Sequence, residues 1–158
     1  MNKLATLLLI FSLAISSGSF SQDIKPSRFD KRGITAIEGF MRAILDNAQD
    51  IGAAAGAAMP YIHPSEFSSD GKGLLPDRMN FSFRKAWQNA RFYEMPVRVT
   101  RVQRQQLTGI GFGPTAEAGV SYKVWIAKSP GINGMPAPLS VFFPADGSDP
   151  RLHGYGSL

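Results

Sequence analysis

Cysteine is absent from this chain of 158 residues. Its absence excludes disulfides, thiolate metal sites, a cysteine nucleophile and thiol redox chemistry. Histidine occurs twice, as His63 and His153, and no carboxylate spacing accompanies either one, so no metal site is expected. Acids are scarce in the second half. Glu94 and Glu117 are the only ones between Arg84 and Phe143, and a carboxylate pair for acid–base work is not visible. Residues 109–113 read Gly-Ile-Gly-Phe-Gly, but they fall between strand patterns. A phosphate cradle needs a strand–turn–helix setting, so a hairpin turn is the expectation and no cofactor is implied. No nucleic-acid motif is present. After residue 21 no apolar run approaches the roughly 20 residues that span a bilayer.

The beginning of the chain is different. Lys3 is the only charge in residues 1–21, and residues 4–15 are almost unbrokenly apolar, with Ala5, Thr6 and Ser12 among the small members. Ser16, Ser17, Gly18, Ser19, Phe20 and Ser21 follow. A basic head, an apolar middle and a small-x-small end predict a secretory signal peptide, cut between Ser21 and Gln22. No cysteine follows to carry a lipid anchor. Export without disulfide support suits a bacterial periplasm, and that is the expected location. The remainder has the length of one domain. The net charge of +5 includes Lys3, so the mature protein is mildly basic, which permits attraction to anionic surfaces.

Residues 22–32 are polar and charged, with Pro26, and read as a mobile leader. Ile34, Ile37, Met41, Ile44, Leu45, Ala48 and Ile51 then recur at spacings of three and four. This pattern predicts one long amphipathic helix over residues 33–58, ended by Pro60. Its small-sided tail, residues 52–58, invites close packing. Ser65 can cap a short turn, residues 68–77 read as a loop, and Phe83 and Trp87 share a face of a short helix. The period then changes. Val97, Val99 and Val102 mark a strand over residues 95–106, with a slip in alternation near 100–102. Val120, Tyr122, Val124 and Ile126 form one face of the next strand. Further strands are expected at 139–143 and 151–158. Helices followed by antiparallel strands predict an α+β domain over residues 33–158: a long N-terminal helix and short helices packed on a curved, mainly antiparallel sheet.

This order, with the His63-Pro64-x-x-Phe67 segment and the ending Phe142-Phe143…Asp146-Gly147…Leu152…Gly154-Tyr155-Gly156-Ser157-Leu158, resembles the nuclear-transport-factor-2-like, or cystatin-like, superfamily over residues 34–158. The resemblance implies a cone-shaped sheet with a pocket between sheet and helix. It also admits a homodimer. Members include small-molecule binders, isomerases, dehydratases and dimerising scaffolds, so the fold leaves function open.

His63 could act as a general base at a pocket mouth. With no positioned partner identifiable in the sequence, a role in its own turn before Pro64 carries more weight. His153 reads as a surface side chain. Trp87, Tyr93, Tyr122 and Trp125, with His63, are the candidate ligand-binding set, although aromatic residues serve core packing by default. Arg98, Arg101 and Arg104 belong to a basic stretch that only Glu94 opposes between residues 84 and 104. They are the candidate dock for an anionic partner, against the plainer reading of a solvated sheet face. The expected protein is a periplasmic binding or interaction domain without catalytic residues. Its partner would be an apolar or amphipathic small molecule, or an envelope protein. The alternatives are a pocket enzyme of the isomerase or dehydratase kind and a periplasmic inhibitor or immunity protein.

Overall fold

The computed structural model describes residues 22–158; residues 1–21, where a signal peptide is expected, lie outside the described residues. Residues 22–32 are not a mobile leader. Gln22–Ile24 form strand β1, which pairs antiparallel with a later strand, Gln22 opposite Arg104 and Ile24 opposite Val102. A 3₁₀ turn at Pro26–Arg28 follows. Helix α1, Lys31–Leu45, begins with Asp30 as its cap, the carboxylate accepting from the Arg32 amide at 2.9 Å. Three polar-patterned residues carry too little periodicity to announce a strand, and the pairing partner lies some eighty residues away in the sequence.

The single helix expected over residues 33–58 is two helices. The chain leaves helical geometry after α1 and starts again as α2, Ile51–Ala58. The polar residues at the break explain it. The Asn47 amide donates to the Ala43 carbonyl at 2.9 Å. Asp50, with extended backbone (φ −138°), accepts from the amides of Gly52 and Ala53 at 2.8 and 3.0 Å. Short polar side chains compete in this way with helix continuation and favour a new N-terminus. Ile37, Phe40, Met41 and Ile44 of α1 are buried, each fully buried large side chain stabilising by about 1.5–3 kcal/mol. Ala54, Ala55 and Ala58 of α2 join the same core. A π-type helical stretch, Arg78–Phe83, runs into the short α3, Arg84–Asn89.

The remaining strands are β2 (Val99–Arg104), β3 (Gly109–Ile110), β4 (Glu117–Ile126), β5 (Ala137–Pro144) and β6 (Arg151–Gly154). They form an antiparallel sheet in the order β1-β2-β4-β5-β6, with β3 on the first residues of β4. The register shifts between Val99 and Arg101, where the sequence shows its slip, and again between Ser140 and Val141. Such bulges bend a sheet. The sixth strand ends before the expected residue 158. Tyr155 and Leu158 instead turn into the core, and the Asn89 amide donates to the Leu158 carbonyl at 3.0 Å.

Strand alternation gives the sheet two unlike faces. Val120, Tyr122, Val124 and Ile126 lie opposite Phe143, Val141, Leu139 and Ala137 and face the helices, as their spacing predicts. Ser121, Lys123 and Trp125 take the outer face, with Phe142 beside Ser121. Across the free side of β6, Ile62 bridges Leu152, and the His63 amide donates to the Leu152 carbonyl at 2.8 Å. Among the described residues, no helix is long and apolar enough to cross a membrane.

Candidate functional site

On the helix side, the sheet and the β1–α1 connection enclose an open cavity of about 480 Å³. Its apolar wall includes Ile24, Phe29, Val120, Tyr122 and Phe143. Three of these rings pack edge to face, with centroids at 5.7 Å for Phe29–Tyr122, 5.8 Å for Phe29–Phe143 and 5.3 Å for Tyr122–Phe143, the arrangement that aromatic quadrupoles favour. Gly33 of α1 makes the cluster fit, since a Cβ there would stand 2.6 Å from Phe29 Cζ.

Arg28, Asp30 and Thr108 supply the polar rim. Asp30 is occupied. Besides capping α1, it holds the Arg32 guanidinium at 3.0 Å, and its bonds to that side chain and to the Arg32 amide keep its carboxyl below the usual carboxylate range. The side chains of Arg28, Thr108 and Tyr122 have no hydrogen-bond partner among the described residues. The cavity therefore combines an apolar wall with unengaged donors, the composition of a small-ligand site.

The outer face carries a contrasting cluster around Phe142. His63, 1% exposed, lies edge-on to the Phe142 ring at 5.5 Å. Its Nδ1 accepts from the Ser65 amide at 3.2 Å and lies 2.8 Å from Ser65 Oγ. The ring proton therefore sits on Nε2, which donates to Glu117 Oε2 at 2.8 Å. Burial lowers the His63 pKa, and the Glu117 carboxylate only partly offsets it. Also beside Phe142, the Ser121 hydroxyl donates to Gln105 Oε1 at 2.6 Å and accepts from His153 Nε2 at 2.6 Å. Burial, with a smaller contribution from His63, pushes His153 down to about 4. His153 is thus not the surface side chain expected of it.

Sequence reading missed the partners of His63 because Glu117 lies more than fifty residues away. The Ser65–His63–Glu117 chain has the connectivity of a nucleophile–base–acid relay. Yet Ser65 and His63 close one local turn, both ring nitrogens are engaged, and His63 lines none of the cavities described. Among the described residues, no group of three or more histidines and carboxylates could hold a metal.

The remaining candidates do not converge. Tyr122 alone lies at the helix-side cavity. Tyr93 is buried near Lys128 at another depression, its pKa raised by that burial. Trp87 lines a groove with Ile44 and Leu45 and donates to the Asn47 carbonyl at 3.2 Å. Trp125 lies on the outer face beneath Arg101 at 4.7 Å and Lys123 at 5.5 Å.

The arginine stripe is also divided. Arg98 pairs with Glu94 at 2.7 Å and Arg101 with Asp23 at 3.1 Å. Arg104 stands opposite Tyr122, on the helix side, with the bulge at Val99 resetting the alternation. The site residues that sequence reading missed, Ile24, Arg28 and Phe29, all lie in the segment taken for a mobile leader. The apolar spacing of Ile24 and Phe29 around Pro26 was the available signal. Comparison with protein-family models, with curated proteins and with solved structures finds no match.

Proposed function

We propose that this protein is an exported, periplasmic binding domain that holds an apolar or amphipathic small molecule in the concavity between its sheet and helices, and that it does so without catalysis. The carrying observation is the cavity of about 480 Å³ walled by Phe29, Tyr122 and Phe143, within the range of about 300–1,000 Å³ usual for small-ligand sites. It opens on the helix-facing side of the antiparallel sheet, beside the turn that leads into α1.

The neutral apolar fluorophore N-phenylnaphthylamine tests the reading. It should bind the product of the full chain with enhanced emission, and Ala118→Trp, which places a large ring at the exposed cavity lining, should abolish that binding. Unchanged binding in the variant would refute the cavity as the site. Export is tested by sequencing the N-terminus of the protein recovered from the periplasmic fraction, where Gln22 is the expected first residue.

A second reading, an acid–base enzyme, draws on the His63–Glu117 pair at 2.8 Å. It requires substrate at a ring nitrogen, and both nitrogens of His63 already face protein partners.

A further inference from the structure

We infer that the ligand of the helix-side cavity carries a carboxylate head on an apolar body. The inference rests on the cavity reading above and concerns what the rim would recognise. Arg28, Thr108 and Tyr122 line the space, and their side-chain donors have no partner among the described residues. A group that only accepts hydrogen bonds satisfies such a set, and an ionised carboxylate is such a group, its two oxygens matching the guanidinium fork.

The local charge balance points the same way. Asp30 is held by Arg32, and Asp23, near the β1 end of the rim, is held by Arg101. Arg28 makes no ion pair among the described residues. Neither does Arg104, which lines the adjoining depression that shares Thr108, Gly119 and Val120 with the cavity. Two uncompensated cations thus flank an apolar wall, a field that attracts an anion and disfavours a cationic head.

Backbone geometry fixes the principal cation. Pro26 opens the 3₁₀ turn, and the Arg28 amide donates to the Lys25 carbonyl at 2.8 Å. Successive residues then divide the work: Arg28 is exposed at the rim while Phe29 is buried in the wall.

Calorimetric titration of the product of the full chain with decanoate, decanol and decyltrimethylammonium, each below its micellar concentration, tests the inference. Decanoate should bind at least tenfold more tightly than decanol, and the cationic amphiphile should bind weakest. Arg28→Gln should weaken decanoate about tenfold, the scale of a lost charged hydrogen bond, and weaken decanol by a smaller factor. Arg104→Gln should weaken decanoate by a smaller factor. Equal binding of decanoate and decanol, unaltered by Arg28→Gln, would overturn the carboxylate inference while leaving the cavity reading standing. Absence of binding by all three, or binding undiminished in Ala118→Trp, would overturn both.

Discussion

The neighbours Phe142 and Phe143 lie on opposite faces of β5, and their surroundings differ in one decisive respect. Around Phe142 the polar groups are matched: His63 lies between Ser65 and Glu117, and Ser121 between Gln105 and His153. Around Phe143 there is open volume, and the side chains of Arg28, Thr108 and Tyr122 have no hydrogen-bond partner among the described residues. Histidines and carboxylates attract attention in a sequence because their chemistry is versatile. Here they are consumed in holding a buried ring and a turn. Unfilled space and unengaged donors are the better mark of a binding site, because a satisfied network gains little from a ligand.

The largest expected effect that sharpens this contrast is on stability. Phe142→Ala should destabilise the fold by about 3–5 kcal/mol, the cost of emptying a fully buried aromatic position. Phe143→Ala, half-buried, should cost about 1–2 kcal/mol, in proportion to its smaller burial, yet impair ligand binding. Urea denaturation compares the two, and equal losses would erase the distinction between the faces.

Acid should strike the outer face next. His153 is held near 4 in the folded protein against about 6.5 unfolded. The unfolded chain therefore binds the extra proton between these values. The neutral, buried form contributes stability above about pH 6.5, and that stability is lost as the pH falls towards 4. The loss is on the order of 3 kcal/mol. Denaturation at pH 7 and pH 4.5 should show it, and His153→Gln should flatten the difference.

Removal of the acid partner should be milder. Glu117→Ala leaves the His63 Nε2–H without its acceptor, at a cost of about 1–3 kcal/mol. The His63 ring should also titrate lower still, as followed by NMR. The smallest effect on stability belongs to Ala118→Trp, within about 0.5 kcal/mol as for an exposed position, although this variant should lose apolar-probe binding entirely.

The parts of the fold written in local periodicity were legible. The apolar stripe from Ile34 to Leu45 marks α1, the alternation of Val120, Tyr122, Val124 and Ile126 assigns β4 to its correct face, and the irregular spacing before Val102 marks a real bulge. Features decided by competition or by distant pairing were not legible. Asp50 ends one helix and starts another because its carboxylate satisfies two amides, a local bond that hydrophobic periodicity does not register. β1 exists because β2 offers it an edge. Tyr122 was identifiable as a site residue because it is aromatic on an apolar strand face. Arg28 was not, because an exposed arginine gains meaning only when the wall beside it is known.

The central claim, that ligand enters the helix-side cavity and not the histidine cluster, is tested most directly by titrating decanoate into isotope-labelled protein and following backbone amide resonances. The account predicts shifts concentrated at Ile24, Arg28, Phe29, Thr108, Tyr122 and Phe143, with His63, Ser65, Glu117 and His153 unmoved. Shifts centred on His63 and Glu117, with the cavity residues silent, would contradict it.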